Sequence, residues 1–391
     1  RPVGEIPPLA PETPTHPVSQ PVTASAGLTA EKPRRDREPP STSFPAGLED
    51  AVVQAYEAVL GLQGLDAGAH FFHLGGHSLL AVRLFTEIKK RLGITLHIHE
   101  LLQNPTAGAL ARCLGGGSAP PADETPSPVV QLKDGEGKPV FLVHEVQGLA
   151  TAYQNLLRYL DTDRPLFGFQ CPGLTGDEPP VRGIEKLADL YLEALLEVQP
   201  TGPYTLVGWS MGGYLALEMA RRLRTMRRKV ARLILVDSYA PHLLRERPLE
   251  DHAIWERCAG DLGISLDEVD LEAGGDPLEA IWRAAVDLRQ KSGEPGLSGR
   301  REEVLAPYRV LKVNRESMRD YFPQIYRGPV DLLRARRRAG GVVTRPPAKL
   351  GWEKVVTGPL RVKTLAGDHH SIVLGEEARG LAEALERLWK S

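Results

Sequence analysis

Two serines in this chain stand in short motifs that could perform acyl chemistry. Ser210 lies in the run GWSMG at 208–212, and Ser78 lies in LGGHSL at 74–79. A serine hydroxyl becomes a nucleophile when a histidine takes its proton and a carboxylate orients that histidine. An acid and a histidine follow Ser210 in the chain, whereas no base accompanies Ser78. The pattern predicts that Ser210 attacks an acyl group and that Ser78 carries a group.

The residues that flank Ser210 predict the element that positions it. An apolar run at 204–207 indicates a buried strand, and an amphipathic stretch begins at Gly212. A Gly-x-Ser-x-Gly turn between strand and helix exposes the hydroxyl and directs the following amide, here that of Met211, at the acyl oxygen. The pentapeptide alone could occur by chance in a glycine-rich chain. Its strand and helix flanks favour the functional interpretation.

The acid and the base are expected at the same edge of the sheet. Asp237 ends the apolar run LILVD at 233–237, where its carboxylate would emerge beside Ser210. A turn or helix cap is the alternative role for such an aspartate. His369 and His370 follow the last strand-like run, and because adjacent side chains point apart, only one of them should serve as the base. His144 also ends a strand, but it precedes the serine and is expected to be structural or to line the oxyanion loop.

Composition and breaks in the chain predict several units. At 391 residues the chain exceeds the usual size of a single core. We expect a proline-rich disordered linker at 1–44, a small domain at 45–115, a flexible linker at 116–128 and a larger domain at 129–391. Apolar spacing in the small domain is helical throughout.

The larger domain alternates short apolar runs with amphipathic stretches, which predicts a parallel sheet with crossover helices. A helical insertion at about 241–326 interrupts this alternation and is predicted to form a lid, with Ile254, Trp255, Leu262, Ile281 and Trp282 as its apolar residues. The strands are expected at 140–143, 165–169, 204–207, 233–236, 330–333 and 360–365. The helices are expected near 153–160, 184–198 and 212–223.

Bulk properties exclude several classes of function. The net charge is −2, with 42% hydrophobic and 25% charged residues, so no nucleic-acid or membrane partner is expected. The three cysteines lack paired spacing, which favours a reducing cytoplasm. No metal site is expected, although His70, His73, His77, His97 and His99 fall in the small domain. The proline-rich opening, without a leader, predicts a fragment of a longer polypeptide.

The larger domain resembles type I thioesterases, the chain-terminating domains of nonribosomal peptide and polyketide synthases. The resemblance covers about 129–389 and rests on VFLVH at 140–144, GWSMGG at 208–213, LVDSY at 235–239 and GDH at 367–369. It implies an α/β-hydrolase fold with Ser210 as nucleophile, Asp237 as acid and His369, rather than His370, as base. Many relatives have HPGG after the first strand, where this chain has HEVQG at 144–148. With that departure, the amides of Val146 and Met211 are the expected oxyanion donors.

The small domain resembles peptidyl carrier domains over about 47–114, through DAGAHFFHLGGHSLL at 66–80 and NPT at 104–106. A serine before a helix is explained most simply as a cap. The resemblance implies instead a four-helix fold in which Ser78 bears a covalent 4'-phosphopantetheine. His77 before the serine favours the peptidyl over the polyketide type.

Together the two domains predict release of a carrier-bound peptidyl or polyketide thioester through an acyl-O-Ser intermediate, by hydrolysis or macrocyclisation. The implied partners are a phosphopantetheinyl transferase, upstream synthase domains and the carrier-bound substrate. Two other functions stay open: a stand-alone serine esterase or lipase, and a carrier or docking module with a non-catalytic hydrolase domain. A reductive release domain would need a glycine-rich dinucleotide loop after its first strand, and 140–148 has none.

Overall fold

All helices and strands of the structure belong to the part of the chain that begins at Phe44. The predicted linker at 1–44, most of that at 116–128, and His73, His77, His97 and His99 lie outside the described residues. The computed structural model describes residues 47–71, 74, 76, 78–94, 96, 100–101, 104–116, 127–176, 178–245, 251–271, 274–293, 297, 300–337 and 346–390.

The small domain is all-α in its described residues. Helices α1 (Leu48–Leu60), α2 (Ser78–Leu92) and α3 (Ala107–Gly115) pack together, and Glu100 and Leu101 are also helical. Its core joins residues at helical spacing, among them Val52, Tyr56, Leu84, Ile88 and Leu110. Val52, Tyr56 and Ile88 are among the positions whose spacing predicted the helices, whereas Leu84 is not.

The larger domain is built on a seven-stranded sheet in the order β1-β3-β2-β4-β5-β6-β7. Every pair is parallel except β1 with β3, which is antiparallel. The central strands are apolar because helices cover both of their faces. The strands are β1 (Val129–Lys133), β2 (Val140–Val143), β3 (Leu166–Phe169), β4 (Tyr204–Trp209), β5 (Val230–Val236), β6 (Val330–Ala335) and β7 (Leu360–Leu365).

Helices on the two faces of the sheet complete two apolar cores. One core includes Phe141 and Val143 of β2 with residues of helices α5 and α6, and the other includes Val140 and Leu142 with residues of α11. This alternation of side chains along β2 is the expected period of a strand. The helices of this part are α4 (Gln154–Leu157), α5 (Ile184–Val198), α6 (Gly212–Thr225), α10 (Ser371–Leu374) and α11 (Ala378–Lys390).

A helical insertion separates β5 from β6, as predicted for the lid. It contains α7 (His252–Asp261), α8 (Pro277–Ser292) and α9 (Arg301–Asp320). Ile254, Leu262 and Ile281 belong to its own apolar core, and Trp255 and Trp282 pack against it. Helix α9 also reaches the main domain, because Val310 is buried in the core beneath the sheet.

Two elements differ from the sequence-based expectation. Strand β1 was not predicted, because a single buried residue, Val130, gives it no alternating pattern. The helix expected at 153–160 is reduced to a 3-10 turn at Ala150–Tyr153 followed by the one-turn helix α4. Tyr153, Leu156 and Leu160 are buried there, so a helical spacing of apolar residues arises without a continuous helix. Within the described ranges, no helix is both long and apolar enough to cross a membrane.

Candidate functional site

The turn that carries Ser210 is set by close backbone packing. Strand β4 ends at Trp209 and α6 starts at Gly212, and Ser210 between them has a left-handed φ of 55°. A Cβ at Gly208 would lie 2.1 Å from the Gly212 carbonyl oxygen, and a Cβ at Gly212 would lie 2.2 Å from that of Val143. Only glycine fits both positions. The strained serine backbone exposes the hydroxyl at the carboxyl edge of the sheet.

Asp237 lies at the same edge, directly after β5. It is 3% exposed, and its backbone φ is 38°. Its amide donates to the Leu333 carbonyl at 2.8 Å, and its Oδ1 accepts from the Ala335 amide at 2.9 Å. Because β6 is parallel to β5 and adjacent to it, the end of β6 holds this carboxylate in place. The second oxygen, Oδ2, is left to orient another group.

His369 joins the acid to the serine. Its Nδ1 lies 2.8 Å from Asp237 Oδ2, and its Nε2 lies 3.0 Å from Ser210 Oγ. With the Nδ1 proton on the carboxylate side, Nε2 is free to accept the serine proton. The Trp209 indole donates to the His369 carbonyl at 3.1 Å. The structure therefore brings the three predicted side chains into one hydrogen-bonded series.

His370 does not enter this series. Burial, and then the neighbouring His369, lower the pKa of His370, and its ring stands nearly perpendicular to that of His369 with centroids 5.2 Å apart. The Asp368 carboxylate accepts from the amides of His370 and Ser371 at 3.1 and 3.0 Å. This turn fixes the backbone of the loop, so that the first histidine faces the serine and the second does not.

The loop after β2 surrounds the predicted oxyanion donors. The Glu145 carbonyl accepts from the His144 ring at 2.6 Å and from the Gly148 amide at 3.1 Å, while Glu145 Oε2 accepts from the Gln147 amide at 2.8 Å. Among the described residues, neither the Val146 amide nor the Met211 amide donates a hydrogen bond. The Met211 amide therefore has no partner in this part of the chain, whereas the Val146 amide lies near the Glu145 carboxyl and lowers its pKa.

His144 is structural in this geometry. It is fully buried, and its Nε2 lies 2.5 Å from the Tyr191 hydroxyl. Burial lowers the pKa of His144 to about 4, so the ring is neutral near pH 7. The same burial raises the pKa of the adjacent Glu145 carboxyl to about 7, against the opposing effects of the Gln147 amide, His369 and Arg257.

Sequence reasoning missed one contact of this loop. The Asn314 side chain, on α9 of the insertion, donates to the Val146 carbonyl at 2.9 Å. Residues this far apart in sequence leave no local pattern that would have paired them. The signal available was a polar residue on the apolar side of α9, next to Val310 and Val313.

Ser78 stands on a different element from this series. It is the first residue of α2, so the helix begins at the serine itself rather than one residue after it. Its side chain lies outside the described part of the chain. A Cβ at Gly76 would lie 2.4 Å from Phe71 Cδ1, which explains a glycine two residues before the serine. Among the described residues, no cluster of His, Cys, Asp or Glu is arranged to hold a metal ion.

Fold and site together define an α/β-hydrolase with a serine, histidine and aspartate at the carboxyl edge of its sheet. The family model "Thioesterase domain" matches residues 138–388, more than half of the 391-residue chain. The chain therefore belongs to the thioesterase family. The model "Phosphopantetheine attachment site" matches residues 50–114. These matches confirm the predicted order of a phosphopantetheine carrier domain followed by a thioesterase domain.

The relatives are large synthetases, a nonribosomal peptide synthase among them. The chain is 32% identical over 291 residues to a dimodular nonribosomal peptide synthase of Bacillus subtilis, which covers 73% of this chain and 12% of that protein. It is 31% identical over 336 residues to malpibaldin synthetase of Mortierella alpina, which covers 84% of this chain and 6% of that protein. The chain thus spans about a tenth or less of these relatives.

A solved structure shares the fold across most of the chain. The crystal structure of holo-AB3403, a four-domain nonribosomal peptide synthetase bound to AMP and glycine, matches with a TM-score of 0.60 at 26% identity. The match covers 92% of this chain and 27% of that one. The predicted α/β-hydrolase fold preceded by a small carrier domain is confirmed by these comparisons.

The Gly212 contact predicts a steric effect on stability. In Gly212→Ala the new methyl group must displace the β2 backbone, so we expect a loss of about 1–3 kcal/mol in the free energy of unfolding. Gly380→Ala is the control, because Gly380 is an exposed helical position with no atom within 4 Å of the added Cβ. Gly380→Ala should raise the free energy of unfolding by up to about 1 kcal/mol. Urea denaturation of both variants checks this, and equal effects would contradict the steric argument.

The buried Glu145 carboxyl predicts a pH-dependent stability. Its pKa is about 7 in the folded chain against an ordinary value of 4.5, so between these values only the folded state holds the proton. The contribution of the Glu145 carboxyl to the free energy of unfolding therefore falls as pH rises from about 4.5 to about 7. The free energy of unfolding of Glu145→Gln should rise relative to that of the wild type by up to about 3 kcal/mol between roughly pH 4.5 and 8.

Urea denaturation at the two ends of that pH range measures the gain. Glu193→Gln is the matched control, since Glu193 is an exposed residue of α5. It should show the same difference from wild type at both pH values. A pH-independent effect of Glu145→Gln would contradict the prediction.

Proposed function

We propose that this chain releases an acyl or peptidyl group held as a thioester on its own carrier domain. The observation that carries the proposal is the hydrogen-bonded series of Ser210, His369 and Asp237 in a chain whose preceding domain matches the phosphopantetheine attachment family. Ser210 is the nucleophile, His369 the general base and Asp237 the carboxylate that orients it. Ser78 is the residue that bears the phosphopantetheine.

The residues around Ser78 suit a covalent phosphate ester. A 15-residue helix begins at the serine, and its first turn has no acidic side chain. The positive end of the helix dipole and its free amides favour a phosphate there. When bound, the phosphopantetheine would supply a flexible arm whose thiol holds the acyl group as a thioester. A phosphopantetheinyl transferase and upstream synthetase domains are the partners that this requires.

The reaction follows from the geometry of the three side chains. Ser210 Oγ attacks the thioester carbonyl while His369 Nε2 takes the hydroxyl proton, and the imidazolium that forms is stabilised by Asp237. The amides of Val146 and Met211 bind the oxyanion, a contribution of about 3–4 kcal/mol per donor. His369 then returns the proton to the leaving thiol, and an acyl ester remains on Ser210. Water yields an acid, and an internal hydroxyl or amine yields a ring.

A contact between the two domains supports delivery in cis. Helix α2 of the carrier contacts α9 of the insertion, and Arg83 Nη2 donates to the Asp261 carbonyl at 2.5 Å, at the end of α7. An arginine at the negative end of a helix is electrostatically favourable. Asp261 Oδ2 also accepts from the Tyr308 hydroxyl of α9 at 2.7 Å. The carrier therefore contacts the insertion at the point where the Tyr308–Asp261 hydrogen bond joins α9 to α7.

Two other functions fit less of the molecule. A stand-alone esterase would leave the match at residues 50–114 without a role, and a docking module with a dead hydrolase domain would leave the Ser210 series unused. We assign the release reaction to the cytoplasm, in keeping with Cys113, Cys171 and Cys258, which are free thiols.

Loss of the nucleophile tests the proposed function. Ser210→Ala should still gain the mass of phosphopantetheine at Ser78 when treated with a phosphopantetheinyl transferase, but it should lose turnover by at least about 1,000-fold. Mass spectrometry of the loaded chain and of the released product measures both. Ser78→Ala should lose loading yet still hydrolyse a small acyl thioester. Unchanged product release by Ser210→Ala would refute the mechanism.

The contact at Arg83 predicts an effect confined to carrier-borne substrate. Arg83→Ala should slow release from the loaded carrier about tenfold or more, because a charged hydrogen bond contributes about 1.5–3 kcal/mol. Hydrolysis of an acyl N-acetylcysteamine thioester, which needs no carrier, should be unchanged. Arg112→Ala, at an exposed position of α3, is the control and should affect neither rate. Equal slowing of both substrates by Arg83→Ala would contradict docking at this contact.

A further inference from the structure

One buried side chain links the helical insertion to the oxyanion loop. Asn314 of α9 is 1% exposed, and its Nδ2 donates to the Val146 carbonyl at 2.9 Å. A carbonyl can only accept, so the amide nitrogen must face it. The other end of the amide, Oδ1, lies 3.9 Å from the Cys171 thiol. Its Nδ2 lies 3.8 Å from the same sulfur, so the side chain is held between the loop and the residue two positions after the end of β3.

The two peptide planes on either side of Val146 are fixed by different groups. In the plane before it, the Glu145 carbonyl is bound by the His144 ring and the Gly148 amide. The Val146 amide donates to no carbonyl among the described residues, and it lies close enough to the Glu145 carboxyl to lower the pKa of that group. In the plane after it, the Gln147 amide binds Glu145 Oε2 and the carbonyl is bound by Asn314. Among the described residues, Asn314 is the one group outside the loop that holds this second plane.

Loss of the Asn314 bond would release that plane. The Val146 carbonyl would remain in a buried place without a partner, which costs about 1–3 kcal/mol. Rotation of that plane toward water would relieve the cost, but it would change ψ of Val146 and pull the Gln147 amide away from Glu145 Oε2. The short loop that carries the Val146 amide would then shift. The direction of the Val146 amide therefore depends on Asn314, a side chain of the insertion.

We propose that Asn314 is a positioning residue that aims the Val146 amide at the developing oxyanion. It does not touch the reacting atoms; it holds the carbonyl of the residue whose amide does. Because Asn314 lies on α9, the oxyanion loop is complete only while this helix is seated against it. The inference rests on the proposed function, since it assigns a role in the same reaction.

Kinetics of an isosteric variant test the proposal. Asn314→Leu keeps the branched shape and the number of heavy atoms of the side chain but removes the donor. Its kcat on an acyl N-acetylcysteamine thioester should fall about 10- to 100-fold with little change in KM, because ground-state contacts are untouched. Ser317→Ala is the matched control on the same helix. Ser317 is also buried and bonded, to the Val313 carbonyl and the Gly183 amide at 2.8 Å each, but not to the oxyanion loop.

Ser317→Ala should lower stability and leave kcat unchanged. A spectroscopic measurement separates positioning from general damage to the fold. A ¹³C-labelled trifluoromethyl ketone forms a hemiketal on Ser210, and the pKa of its oxygen reports how strongly the loop stabilises an oxyanion. That pKa should rise in Asn314→Leu and stay at the wild-type value in Ser317→Ala. The adduct forms only on folded molecules, so a destabilised variant still gives an answer.

Two outcomes overturn the inference. One is a wild-type kcat and hemiketal pKa in Asn314→Leu, and the other is an equal loss in Ser317→Ala. Failure of the proposed function has a separate signature, since the wild-type chain itself would then neither turn over the thioester nor form the adduct on Ser210.

Discussion

The contact between the Ser210 turn and the end of β2 is the constraint on which the site depends. Gly212 packs so closely on the Val143 carbonyl that an added Cβ would lie 2.2 Å from it. The nucleophile turn and the first residues of the oxyanion loop are therefore placed side by side by backbone alone. A parallel pairing of β2 with β4 is required for this approach. The positions of both proposed oxyanion donors follow from it, because the Met211 amide belongs to the turn and the Val146 amide to the loop.

The rest of the series follows from the same parallel arrangement. The ends of β4 and β5 meet at one edge of the sheet, so a serine after one strand and an aspartate after the next are neighbours. The proposed base, His369, comes from the loop after β7. Its position depends on a turn in which Asp368 accepts from the amides of His370 and Ser371. Backbone geometry at Ser210 and Asp237 is left-handed in both cases. Strain at these residues is maintained by the strands that they end.

Local patterns in the sequence predicted those elements whose formation depends on residues close together in the chain. The strands before Ser210 and Asp237 were visible as apolar runs, and the order of serine, acid and histidine needed no long-range information. The choice between His369 and His370 came from family resemblance, since the residues alone left it open. Strand β1 and Asn314 were missed for a common reason: each acquires its role from a partner far along the chain. Pairing of β1 with β3 and bonding of Asn314 to Val146 leave no periodic signal.

The energetics of α9 limit how the insertion can act as a lid. One neutral hydrogen bond contributes about 1 kcal/mol, and an unpaired buried carbonyl adds a penalty of about 1–3 kcal/mol. Val310 of α9 is buried in the core that contains Phe141 and Val143 of β2. A Cβ at Gly148 would lie only 3.2 Å from Val310 Cγ1. Moving this end of α9 away from the loop would break the hydrogen bond of Asn314 and uncover Val310 together, so we expect α9 to stay seated against the loop. The three helices of the insertion also share one apolar core, and Tyr308 of α9 donates to Asp261 at the end of α7, so a displacement of α9 would have to carry α7 and α8 with it.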